Sequence, residues 1–178
     1  MTTTINASTS SGLVATPDNS GAIALQNNGT TGLNLTAAGF PLTPLRPSFS
    51  ARQTSTGLTT AADAEQKFDV VLFNTGSYYN ASTGRFTAPV AGVYYFAAQL
   101  LGNNTNSRAI FYLAKNNSQS VPSVEASSTA NQYTSIGTFG LFELAVGDYI
   151  SVKNGGSGEN LFYTSPSNQN WFIGYLIG

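Results

Sequence analysis

Two patterns of apolar and polar positions divide the 178-residue chain. Up to about residue 40 it is almost wholly Thr, Ser, Asn, Gly and Ala. Short aliphatic runs interrupt it, each following a glycine: Gly12-Leu13-Val14-Ala15, Gly21-Ala22-Ile23-Ala24-Leu25 and Gly32-Leu33-Asn34-Leu35. Short runs bounded by turn-forming residues predict strands. They hold few large apolar side chains, and ordering a residue costs about 1–2 kcal/mol. The expectation is therefore an arm that orders by burial against other chains, with a disordered low-complexity tail as the alternative. Residues 41–48, PLTPLRPS, carry three prolines, which favour a stiff extended connection. They place a boundary between an arm and linker at 1–46, expected to serve for docking or as a trimer stem, and a separate domain at 47–178.

Beyond the boundary, β-rich runs separated by turn residues recur at the spacing of an all-β sandwich. Only residues 59–67, TTAADAEQK, have helical propensity, enough for a turn of helix in a loop. In the run after Gly92, Tyr94, Phe96, Ala98 and Leu100 share one strand face, and Val93, Tyr95, Ala97 and Gln99 share the other. In RAIFYLAK, Ile110, Tyr112 and Ala114 oppose Ala109, Phe111 and Leu113. Both strands are apolar on both faces, whereas a solvated antiparallel strand alternates with polar residues. One face fills a core. The second needs cover, either from another copy of the chain or from the domain's own loops. With the Tyr94 face taken as core, Tyr95 and Phe111 are the candidate interface residues of an obligate oligomer.

Composition narrows the function. Charged residues are 8% of the chain with net charge −1, and the seven basic residues are scattered from Arg46 to Lys153. A nucleic-acid surface needs clustered Lys and Arg, so no nucleic-acid partner is expected. No apolar run approaches the length of a membrane span, and the polar start MTTTINASTSSG lacks the charged and apolar regions of a signal peptide. The expectation is cytoplasmic synthesis without export or membrane insertion. There is no Cys and no His, which removes thiol nucleophiles, disulfides, the usual zinc sites, haem ligation and Ser-His-Asp triads. Carboxylate chemistry needs a facing pair, and no spacing among Asp18, Asp63, Glu65, Asp69, Glu125, Glu143, Asp148 and Glu159 provides one. A non-enzyme without cofactor or metal is expected.

Residues 68–100, FDVVLFNTGSYYNASTGRFTAPVAGVYYFAAQL, resemble the signature of the C1q/TNF-like globular domain. The resemblance rests on Phe68, the Asn74 turn, Tyr79, Thr83-Gly84-Arg85-Phe86 and Gly92-Val93-Tyr94-Tyr95-Phe96. YLAKNN, LFELAVGDYI and the closing WFIGYLIG continue the family's order of motifs over residues 47 to 178. It implies an all-β, ten-stranded antiparallel jelly roll assembled as a homotrimer, with tight turns at Gly84 and Gly92 and a hairpin turn at Gly147-Asp148. Ala88 stands where the family often has Cys, and the acidic residues that hold calcium in some members are not evident at 160–170.

The leader SSGLVATPDNSGAIALQNNGTTGLNLTAAG is similar to repeat-bearing leaders of tailed-phage structural proteins. Together the two resemblances imply a non-enzymatic virion protein, a homotrimeric fibre tip, knob or capsid decoration made in the host cytoplasm. It would dock on other virion proteins through residues 1–40, with a head that contacts a host glycan or protein. The alternative is a bacterial cell-surface C1q-like adhesin. Polar loops at 102–107, 116–132 and 154–160 are the expected recognition surface. Asn103, Asn104, Asn154 and Tyr163 are its candidate residues, with Tyr133 a second candidate aromatic platform.

Overall fold

The structure is a computed structural model that describes residues 3–8, 12–16, 20–54, 61–104, 108–119, 124–127, 132–155 and 169–178. It divides into two compact units, Met1–Arg46 and Pro47–Gly178.

The first unit is one five-stranded sheet. Its strands are β1 (Thr3–Ser8), β2 (Gly12–Thr16), β3 (Ile23–Asn27), β4 (Thr30–Leu35) and β5 (Pro41–Leu42), in the order β2-β1-β3-β4-β5. β1 and β3 run parallel and the other neighbours antiparallel. β3 turns into β4 at Asn28-Gly29, both at positive φ (49° and 78°), a conformation that Asn-Gly adopts readily in two-residue hairpins. The glycine-led runs became β2, β3 and β4. β1 lacks that pattern, and β5 lies in the proline-rich segment. Backbone pairing within one chain forms this sheet. Parallel pairing with β3 draws in the polar β1, which no local apolar pattern marks.

The second unit has eleven strands among its described residues, one more than expected. They are β6 (Ser48–Arg52), β7 (Val70–Thr75), β8 (Tyr79–Asn80), β9 (Arg85–Thr87), β10 (Gly92–Asn104), β11 (Arg108–Lys115), β12 (Ser118–Gln119), β13 (Val124–Ser127), β14 (Gln132–Leu144), β15 (Tyr149–Asn154) and β16 (Trp171–Leu176). One sheet is ordered β14-β10-β16-β6-β7. The other is ordered β12-β11-β15-β9-β8, with β13 also on β11. All pairings are antiparallel and neighbours are mostly distant in sequence, which is jelly-roll topology. Residues 61–67 form a turn and a bridge from Glu65 to Lys153 instead of the expected helical turn. Their backbone hydrogen bonds go to β15, from Gln66 N to Val152 O and from Asp63 N to Asn154 O.

Aromatic rings fill the space between the sheets. Phe49, Phe68, Phe86, Tyr94, Phe96, Phe111 and Phe172 are fully enclosed, and burying one such side chain contributes about 1.5–3 kcal/mol. Phe49 stacks on Tyr79 with centroids 4.6 Å apart and meets Phe172 edge-on at 4.9 Å. Burial pushes the Tyr79 hydroxyl's pKa up, and that hydroxyl accepts from Phe68 N and donates to Phe68 O. Gly84 holds a left-handed turn (φ +76°), and a Cβ there would lie 2.2 Å from the Gln66 carbonyl oxygen. Gly92 serves no turn. It opens β10, where a Cβ would come within 2.9 Å of the Gly178 carbonyl oxygen.

Candidate functional site

The sheet β14-β10-β16-β6-β7 covers the core with one face and, among the described residues, leaves the other open. Pairing register lines up Phe139, Ala97, Ile173, Ser50 and Phe73 in one row across the five strands, and Leu141, Tyr95, Tyr175, Ser48 and Thr75 in the next. Phe139 is 71% exposed, Leu141 65%, Leu72 60% and Phe73 53%. Tyr95 is half-buried and packs on Tyr175, with ring centroids 5.4 Å apart. Leu72, Trp171 and Ile173 share a shallow cleft of about 330 Å³ with Ser50 and Arg52. Solvated antiparallel faces are polar on the outside, and large exposed apolar patches mark association surfaces. Chemically this face is a mainly aromatic and aliphatic plate, with Arg52 and Glu143 at its margins, suited to excluding water against a matching surface.

Of the two expected interface residues, the structure places only Tyr95 here. Phe111 is fully buried in the core of its own subunit, and Leu113 joins it. The second apolar face of β11 is covered by the domain's own chain, the alternative the sequence left open: Tyr112 is buried and its hydroxyl donates to Asp63 Oδ1 at 2.7 Å. Burial, reinforced by that carboxylate, raises the hydroxyl's pKa to about 12. Sequence reasoning missed Phe139, Leu141, Ile173 and Tyr175. The signal was present in GTFGLFEL (residues 137–144), where Phe139 and Leu141 alternate with the core residues Phe142 and Leu144.

Of the expected recognition residues, Asn103, Asn104 and Asn154 lie in strands and not in loops. Asn103 and Asn104 lie inside β10, in register with Tyr133 and Gln132 of β14, so strand pairing takes the place of a loop from residue 102 to 104. Asn154 is fully buried: its Nδ2 donates to Ala61 O, and its backbone N to Ala64 O. It is a structural clamp on the segment before β7, not a surface group. Tyr163 lies outside the described residues. The expected 116–132 loop contains β12 and β13.

Four carboxylates serve as ties. Arg85 Nε donates a bifurcated hydrogen bond to both carboxylate oxygens of Glu65 (3.0 and 2.9 Å), Ser151 Oγ donates to Glu65 Oε1, and Arg85 sits 4.2 Å above the Tyr149 ring. Asp63 holds Tyr112, and Asp69 accepts from the Thr54 amide and hydroxyl. Asp148 accepts from Asn116 Nδ2 (2.7 Å), Lys115 Nζ (2.9 Å) and Ala145 N (2.9 Å), which lowers its pKa from 3.8 to about 2. Gly147 (φ +88°) turns the chain there from β14 into β15. Among the described residues no three carboxylates converge where a metal could be held, and no helix is long and apolar enough to cross a membrane.

Residues 48–177 match the family model described as the C1q domain. The mouse complement C1q and tumor necrosis factor-related protein 9 is 30% identical over 138 residues, covering 77% of this chain and 40% of that protein. The rat complement C1q tumor necrosis factor-related protein 5 is 29% identical over 134 residues, covering 75% of this chain and 54% of that protein. The chain thus spans about half the length of these curated relatives. Among solved structures, the globular domain of zebrafish complement 1qA protein superposes with a TM-score of 0.58 at 20% identity, over 75% of this chain and 98% of that one. Murine APRIL gives 0.57 at 15% identity, over 74% and 99%. These superpositions bear on the fold, and with the match over residues 48–177 the chain belongs to the C1q domain family.

Proposed function

We propose that the protein is a non-enzymatic structural protein whose C1q-like unit associates as a homotrimer through the open face of β14-β10-β16-β6-β7. The observation that carries this reading is the exposure of Phe139 and Leu141, at 71% and 65%, beside Tyr95 and Tyr175. Two rows of apolar side chains on a regular sheet are a poor solvent surface and a good self-complementary one. Three is the copy number typical of C1q/TNF domains. The engagement of Asp63, Glu65, Asp69 and Asp148 in structural ties supports a non-catalytic role.

The setting we propose is a bacteriophage virion, with the C1q-like unit as a knob or decoration and residues 1–46 as the attachment end. The support is the resemblance of the glycine-aliphatic leader to those of tailed-phage structural proteins. Sedimentation equilibrium of the purified chain tests the assembly: a trimer of 18.6 kDa subunits is expected, and a folded monomer at micromolar concentration refutes it. Mass spectrometry of purified particles tests the setting, where absence of the protein refutes a virion role.

A further inference from the structure

The sheet of residues 1–46 is a single layer with two unlike faces. Pairing sets Ile23 against Leu35 and Leu25 against Leu33, so four aliphatic side chains form one square patch on one face. They are exposed at 42%, 40%, 41% and 38%. Ala24 and Asn34 pair on the opposite face. Sheets bury their apolar side against a second layer, and here Ala24 is the one buried apolar residue within 20–46.

We propose that the Ile23-Leu25-Leu33-Leu35 face is covered by the same face of the other copies, so that the N-terminal sheets form a stem with their aliphatic patches turned inward. The inference rests on the trimer reading above. Two features select a second copy over an unrelated partner. Asp18 is the one charged side chain before Arg46, so identical faces meet with almost no like-charge repulsion, and a charged partner finds no complement. The connection is also short. Five residues separate Leu42 from Ser48, a span of at most about 20 Å when fully extended. Once the C1q-like units trimerise, the three sheets are held at an effective concentration on the order of millimolar. Patches too small to hold free chains together associate readily when tethered in this way.

The absence of cysteine gives a clean test in the full chain. Leu25→Cys, Leu33→Cys and Asn34→Cys variants are oxidised with copper phenanthroline and run on non-reducing gels, with sedimentation equilibrium on the same samples. The expected result is a trimer in all three, with covalent dimer at least tenfold more abundant for Leu25→Cys and Leu33→Cys than for Asn34→Cys. Trimers with equal cross-linking, or with none, overturn the stem and leave the trimer reading standing. Folded monomers overturn both. As an independent measure, a Leu25→Asp/Leu33→Asp chain is digested with thermolysin. The stem requires cleavage within residues 1–46 to be at least tenfold faster than in the parent while the trimer persists, and an unchanged rate refutes it.

Discussion

Tyr95 and Tyr175 face each other across β10 and β16, ring centroids 5.4 Å apart and tilted by 42°, on the side of the sheet away from the core. Leu141 continues their row on β14 at 65% exposure. Leu141→Asp places a carboxylate in the middle of the proposed interface, where an uncompensated charge costs about 3–5 kcal/mol. The expected outcome is a folded protein with unchanged far-ultraviolet circular dichroism that sediments as a monomer. Retention of the trimer would move the interface elsewhere.

Neighbouring residues on β11 should behave differently from Leu141. Phe111→Ala empties a fully enclosed site and should destabilise each subunit by about 3–5 kcal/mol. Tyr112→Phe removes only the hydroxyl that donates to Asp63, at a cost of about 1 kcal/mol. Urea titrations of the two variants check the order. Equal effects would mean that the loop over Tyr112 contributes as much as the core ring.

Two glycines separate backbone strain from steric exclusion. Gly147→Ala meets nothing within 4 Å but must hold φ +88°, which costs about 1 kcal/mol. Gly84→Ala combines a similar φ with a contact 2.2 Å from the Gln66 carbonyl, so its loss should exceed that of Gly147→Ala by about 2 kcal/mol or more. Thermal melts compare them directly.

Asp148 predicts a pH dependence. Its folded pKa is lowered, from 3.8 to about 2, chiefly by the Asn116 and Lys115 hydrogen bonds. Linkage then gives stability that is fully present above about pH 4 and is lost as pH falls through about 2. Asp148→Asn should lower Tm at pH 6 and flatten the fall of Tm between pH 4 and 2. A fall as steep as in the parent would assign acid sensitivity to other carboxylates.

Much of the fold was legible because strand side chains alternate with period two. The pattern at residues 92–100 assigned Tyr94, Phe96, Ala98 and Leu100 to the core, and all four are fully buried. The same rule applied to RAIFYLAK separated Phe111 from Tyr112 but does not encode which of them faces inward, and Phe111, expected at the interface, is enclosed in the core. Asn154 was misread because its Asn-Gly-Gly surroundings look like a loop, whereas the returning segment 61–66 hydrogen-bonds along β15 and encloses it.

By itself the sequence determined the main strands, the two faces each of them offers, the family motifs and the scarcity of charge, all of which are local properties of side-chain order and composition. The tertiary structure decided which apolar faces remain open. β11 loses its second face to a loop from elsewhere in the same chain, while the outer faces of β10, β14 and β16 receive none among the described residues. That choice depends on where distant segments return, and no periodicity within a strand encodes it.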